Sequence, residues 1–161
     1  IFNGVINERI KQACFDQIVA GDVLMLAGTQ SVFHLDEMDE TIKQRFIDKD
    51  IDITAPMWGA GELMTSAEPL ILEQKVALDN DDFCQGLPRF GLKQERRRIR
   101  LNISETNIEL LPAHEGTNAV KISFFLPAGC YATTVLRELL TYQDMTTRID
   151  KRNDEAISPI A

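Results

Sequence analysis

The run Leu126-Pro127-Ala128-Gly129-Cys130-Tyr131-Ala132-Thr133-Thr134-Val135-Leu136-Arg137-Glu138-Leu139 sets one aromatic ring at the junction of a predicted strand and a predicted helix. A flat ring at such a junction can carry a nucleobase. Bases drawn out of a helix are gripped by stacking on aromatic or apolar side chains, each stack being worth about 1–3 kcal/mol. The alternative for Tyr131 is packing between sheet and helix. Gly129 suits a tight strand-to-helix turn and the close approach of a ligand, and Pro127 stiffens the same turn. Arg137 and Glu138 fall about two turns into the helix. There they form a surface pair, or Arg137 steadies a phosphate or a carboxylate.

A second candidate for chemistry is the cationic segment Lys93, Arg96, Arg97, Arg98 and Arg100. Phosphate recognition depends on Lys and Arg displacing condensed counterions. The chain as a whole carries a formal charge of -8, so any nucleic-acid contact must come from such a local patch.

Other constellations are excluded by spacing. Cys14, Cys84 and Cys130 are far apart and show neither metal nor redox spacing, and His34 and His114 stand alone, so no metal is expected. Asp79, Asp81 and Asp82 fail as a calcium loop, because Cys84 occupies the glycine position and Phe90 the terminal glutamate position. Gly59-Ala60-Gly61 is too short for a phosphate loop and no Lys-Ser or Lys-Thr follows it. The acidic run from Asp36 to Glu40 reads as a solvated helix N-terminus, where the helix dipole favours negative charge.

These residues must be positioned by a chain of 161 residues, 44% hydrophobic and 26% charged, which are ordinary globular values. That length buries one core, or one lobe and part of another. No apolar run approaches the roughly 18 residues that span a bilayer, and no secretory leader opens the sequence, so a cytoplasmic protein with no membrane partner is expected. Ile1 is not an initiator methionine, and Phe2, Ile6 and Ile10 already recur at helical spacing. The chain is therefore expected to be a fragment, a processed chain or a partly ordered one.

An amphipathic helix is predicted from Phe2 to about Ile18. Val23 to Ala27 and Ser31 to Leu35 read as a hairpin, broken by Gly28-Thr29-Gln30. Asp36 is the expected N-cap of a helix with Met38, Ile42 and Phe46 on one face. Residues 51–66, containing Pro56, Gly59 and Gly61, read as a loop whose Trp58 anchors it to the core. Ser66 is the expected cap of the next helix, and Gly86-Leu87-Pro88 with Gly91 closes this region. Near residue 98 the period changes to alternation. Ile99, Leu101 and Ile103 alternate with Arg98, Arg100 and Asn102, as in a half-buried strand with a basic exposed face. With Thr106 to Leu111 and Val120 to Phe124 they make a three-stranded meander, followed by a helix bearing Ala132, Val135, Leu136 and Leu139.

The run from Leu126 to Leu139 resembles the C-terminal motif of the tRNA pseudouridine synthase D family: Leu-Pro-x-Gly-small-aromatic-Ala-Thr, a short gap, then Leu-Arg-Glu. Gly21-Asp22-Val23 through Gly28 and the Arg-rich segment resemble further landmarks. The resemblance implies an α/β (α+β) chain, in which an inserted α/β lobe is followed by an antiparallel meander and helix that complete a pseudouridine synthase-type sheet. Residues 1–98 would be most of the inserted domain, 99–144 the C-terminal part of the catalytic domain, and 145–161 a loose polar tail. It also implies an isomerase with tRNA as partner, uridine 13 as substrate and no cofactor. Tyr131 would belong to the uracil pocket, with Gly129 beside it. The family's catalytic aspartate lies in an N-terminal motif that this chain does not match. No catalytic residue is assigned here, the missing N-terminal half becomes a required partner, and the chain alone is expected to be inactive. The rival expectation is a noncatalytic RNA-binding or protein-interaction module with a synthase-like fold.

Overall fold

The computed structural model describes residues 1–114 and 117–141. It divides into two units, Ile1–Leu101 and the residues from Asn102 onward, which are treated separately below.

The first unit is organised on a four-stranded antiparallel sheet. Its strands are β1 (Val23–Leu26), β2 (Val32–His34), β3 (Ile51–Met57) and β4 (Glu95–Arg98), in the order β2-β1-β3-β4. The β1–β2 hairpin forms where expected, pairing Val23 with His34 and Met25 with Val32. Four helices accompany the sheet: α1 (Phe2–Lys11), α2 (Glu40–Ile47), α3 (Ala67–Leu78) and α4 (Asp81–Arg89). Val5 of α1 and Leu72 and Val76 of α3 close over Leu24, Ile51, Ile53 and Ala55 of the central strands. Met38, Ile42 and Phe46 pack against this core from the α2 side, as their spacing requires.

Several sequence expectations are corrected. Residues 51–57 form a buried central strand rather than the start of a loop. Pro56 is tolerated because β1 pairs only with residues 51 to 53, leaving Pro56 beyond the end of that ladder. The α2 cap is Asp39, whose Oδ1 accepts from the Ile42 N–H at 2.7 Å, and not Asp36. Helix α1 stops at Lys11, short of Ile18, because the chain turns through Ala13 at φ +54°.

Two buried ion pairs lock this unit. Arg9 grips both oxygens of Asp22 at 2.7 and 3.1 Å and donates to the carbonyls of Cys14 and Gln17. The Val19 N–H donates to Asp22 as well. Such a pair is favourable only when its remaining donors and acceptors are also met, as they are here. Gly21 is required next to it. Its φ is +95°, and a Cβ there would lie 2.3 Å from the Ser66 carbonyl oxygen.

The second unit holds β5 (Ser104–His114) and β6 (Thr117–Phe125), paired antiparallel, and α5 (Ala132–Leu139). Among the described residues its sheet has two strands, not the three of the expected meander. The Ile99 N–H donates to the Ile53 carbonyl and its side chain is buried in the first core, so Ile99 serves the first unit rather than a strand of the second. Ile108 faces Ile122 and Leu110 faces Val120, giving the hairpin one apolar face. The expected tail at 145–161 lies outside the described residues.

Candidate nucleic-acid interface

In β4, alternation separates side chains that adjoin in sequence. Arg96 points inward and is only 8% exposed. Its Nη1 and Nη2 donate to the two oxygens of Glu73 at 3.0 and 2.9 Å, and Nε and Nη2 donate to the hydroxyl and carbonyl of Thr54, both at 2.9 Å. Thr65 adds a hydroxyl donor to Glu73 at 2.9 Å. Arg96 therefore belongs to the interior, in contrast to its expected place in a cationic patch that meets phosphates.

Arg98 donates through Nη2 to the carbonyls of Leu26 and Thr29. Arg100 pairs with Asp52 at 2.6 Å and lies 4.1 Å from the Phe46 ring centre. Both are half-buried and hold the sheet's edge to neighbouring elements. Of the five cations, Lys93 and Arg97 are the exposed ones. The Arg97 guanidinium sits 5.7 Å from the centre of the Phe2 ring, a cation–π distance.

Lys93 is positioned by a backbone strap. The Ala60 N–H donates to Leu92 O at 2.7 Å and the Gln94 N–H to Ala60 O at 2.9 Å, and Gln94 Oε1 accepts from the Gly59 N–H. At Gly59 a Cβ would stand 2.3 Å from the Lys93 carbonyl carbon, so only glycine permits this approach.

The strap carries Trp58, which expectation assigned to anchoring, and its anchor is specific. Pro88 lies inside α4 and has no N–H. The carbonyl four residues earlier, that of Cys84, is thereby deprived of its helical donor. Trp58 Nε1 donates to it at 3.2 Å. The Cys84 thiol is itself pushed up in pKa, first by burial and then by Asp81, which keeps it protonated. A cleft of about 470 Å³ opens beside Trp58, with Phe2, Met57, Phe83 and Leu92 among its walls and Lys93 and Glu95 among its polar residues. Phe83 carried no sequence signal, because Gly86 and Pro88 masked the helix that presents it.

His34 also has partners, contrary to its reading as solitary. Its Nδ1 lies 3.0 Å from Asp36 Oδ1 and its Nε2 lies 2.9 Å from Ser66 Oγ, tying β2 to the start of α3. Ser66 is the residue capping α3, as expected, but its hydroxyl makes no cap hydrogen bond. Glu8 receives hydrogen bonds from Lys11 and Lys75, both at 2.7 Å, which lower its pKa from an ordinary 4.5 to about 2.

In the second unit Gly129 adopts φ +84° and Tyr131 is the N-cap residue of α5. The Tyr131 ring is 74% exposed. It is not packed between strand and helix within this unit, which was its structural alternative. A Cβ at Gly129 would meet nothing within 4 Å, so its positive φ rather than crowding calls for glycine. Arg137 stands exposed in the last turn of α5. Among the described residues no group of three His, Cys, Asp or Glu side chains converges as a metal site requires. No helix there is long and apolar enough to cross a membrane.

The family model for tRNA pseudouridine synthase D (TruD) matches residues 1–139, and the chain belongs to this family of tRNA-modifying isomerases. It is 76% identical over 157 residues to the tRNA pseudouridine synthase D of Colwellia psychrerythraea, covering 94% of this chain and 43% of that protein. The corresponding protein of Pseudoalteromonas atlantica is 44% identical over 147 residues, covering 91% of this chain and 41% of its own length. A crystal structure from Methanosarcina mazei, provisionally named tRNA pseudouridine synthase D, superposes with a TM-score of 0.70 at 22% identity. It covers 85% of this chain and 35% of that one, a likeness of fold. The chain thus spans about two fifths of the length of the curated relatives it matches.

Proposed function

We propose that this chain is the C-terminal portion of a tRNA pseudouridine synthase that converts uridine, at position 13 by family resemblance, to pseudouridine. Residues 1–98 are the larger part of an inserted RNA-binding domain. Residues 99–144 contribute strands and a helix to the catalytic domain, with Tyr131 and Gly129 at the uracil pocket. The reaction breaks the bond between ribose and uracil nitrogen, turns the base and joins the sugar to a ring carbon. It needs an extruded nucleotide, a carboxylate and a surface that keeps the detached uracil in place. The carboxylate comes from outside this chain, and no cofactor is required.

The observation that carries this reading is the exposed ring of Tyr131, directly after a glycine-dependent turn and at the head of a helix. A ring held there offers a flat face without first having to unpack from a core. Lys93, Arg97 and Arg137 are the exposed cations assigned to phosphates.

The test is tritium release from tRNA labelled at uracil C5, using the full-length enzyme. Tyr131→Ala is expected to lower turnover by one to two orders of magnitude, following the roughly 1–3 kcal/mol of a lost stack, while thermal unfolding stays where it was. Equal turnover in the variant and the parent would remove Tyr131 from the pocket.

A further inference from the structure

His34, Asp36 and Ser66 form a connected cluster that the reading above leaves unused. Asp36 Oδ1 lies 3.0 Å from one ring nitrogen, Nδ1, and Ser66 Oγ lies 2.9 Å from the other, Nε2. A carboxylate only accepts, so the hydrogen between His34 and Asp36 sits on Nδ1. In the neutral imidazole Nε2 is then an acceptor, and the Ser66 hydroxyl donates to it. That is the arrangement of an activated nucleophile, with the hydroxyl on a base and the base oriented by a third group.

The backbone places all three. Leu35 is buried, its N–H donates to the Asp22 carbonyl at 2.8 Å, and its carbonyl accepts from the Gly21 N–H at 2.7 Å. With Leu35 turned inward, His34 and Asp36 fall together on the other side of the chain. The Gly21 carbonyl in turn accepts from the Ser66 N–H at 3.0 Å, so one residue bridges the two segments. A Cβ at Gly21 would stand 3.0 Å from Ser66 Oγ, which leaves glycine as the residue that keeps that side of the hydroxyl clear.

Helix α3 explains why the hydroxyl is available. Ser66 precedes the helix, and the third helical residue, Pro69, has no N–H for a cap to meet. The hydroxyl makes no cap bond and is committed to His34 instead. The N–H groups of Ala67 and Glu68 have no acceptor within the helix and stand at the positive end of its dipole. Donors directly following a nucleophile suit the oxyanion of a tetrahedral intermediate. Asp36, Glu37 and Glu68 are exposed carboxylates, so the surroundings repel an anionic substrate and favour an uncharged one.

We propose that Ser66 is a nucleophile toward small uncharged esters, with His34 as its general base and Asp36 as the residue that positions the imidazole. Ser66 Oγ bonds to the acyl carbon while its proton passes to His34 Nε2. The ester C–O bond breaks and the alcohol leaves with that proton. Water then gives a proton to Nε2 and attacks the acyl-serine, the acid is released, and the proton returns to Oγ. The sum is ester and water to acid and alcohol. The inference rests on contacts within the first unit and is independent of the synthase reading.

The test is release of p-nitrophenolate from p-nitrophenyl acetate by the full-length enzyme. Release is expected to disappear in Ser66→Ala and after treatment with a fluorophosphonate, whose label is expected on the peptide carrying Ser66. His34→Gln is expected to lower the rate by about 100-fold or more, and Asp36→Asn by about tenfold or more, since an amide can present a donor to Nδ1 and reverse the tautomer. Ser66→Ala is expected to keep its melting temperature and its tritium release from C5-labelled tRNA. Ester hydrolysis that is absent from the parent, or that persists in Ser66→Ala or His34→Gln, overturns the proposal. A lowered melting temperature in His34→Gln with no hydrolysis by the parent reduces the cluster to a tie between β2 and α3 and overturns it as well. Either failure leaves the synthase reading standing.

Discussion

Arg96 and Arg97 are adjacent, chemically identical and assigned to opposite tasks by the pleat of β4. Arg96→Ala leaves the Glu73 carboxylate buried without its partner, and the expected loss of stability is about 3–5 kcal/mol by urea denaturation. Arg97→Ala removes an exposed cation and is expected to change stability by less than about 1 kcal/mol. On the RNA reading it lowers the salt slope of tRNA binding by about 1. A reversal of these two results would mean that the inward and outward faces are exchanged. The sequence shows three arginines in a row and offers no way to sort them. Arg96 is sorted by Thr54 and Glu73, 42 and 23 residues distant, and such pairings exist only once the sheet is assembled. Glu8 gives a second prediction at this scale. Its folded pKa of about 2 lies below the ordinary 4.5, so its contribution is complete above about 4.5 and is lost as pH falls toward 2. Glu8→Gln is therefore expected to lower the melting temperature at pH 7, and the gap between variant and parent is expected to close in that acid window. A gap that persists at pH 2 would assign the effect to something other than the carboxylate's charge.

At the level of elements, what could be read from the sequence was whatever local periodicity governs. The β1–β2 hairpin, the apolar face of α2 and the helix at Ala132 to Leu139 all follow from spacing. Elements containing breakers depart from that periodicity, for a physical reason in each case. Pro56 lies in a buried strand because its side of the ladder has already ended, and Pro88 lies in a helix because the carbonyl it orphans is met by Trp58. These compensations come from residues remote in sequence. The same long-range logic makes Gly59 a test of the strap that positions Trp58 and Lys93. A Cβ at 2.3 Å from backbone cannot be relieved by a side-chain rotation, so Gly59→Ala must lift the strap. The expected cost is about 1–3 kcal/mol, accompanied by a shift of Trp58 emission to longer wavelength as the indole is wetted. Unchanged emission would show that the indole is held independently of the strap.

For the whole molecule, the governing fact is that a family member spans about two fifths of the length of the curated relatives it matches. On the proposed reading, such a piece presents substrate-facing groups without containing all of the chemistry. One unit is closed around its own core and two buried ion pairs. The other shows an apolar hairpin face, with Leu110 83% exposed, Ile108 61% and Val120 52%, and an unpacked Tyr131. An apolar face of this kind calls for a covering element, and the two-stranded sheet leaves edges at which further strands can pair. On the proposed reading those strands bring the catalytic carboxylate, so the 161-residue chain alone is expected to release no tritium from C5-labelled tRNA. Supplying the N-terminal remainder of the family's length as a separate polypeptide is expected to restore release, with a rate that saturates as that polypeptide is added. Tyr131→Ala in this chain is then expected to depress the restored rate without altering the concentration at which it saturates, because the ring faces substrate rather than the added strands. Tritium release by the chain alone would place the carboxylate within it. A variant that shifts only the saturation point would make Tyr131 part of the docking face instead.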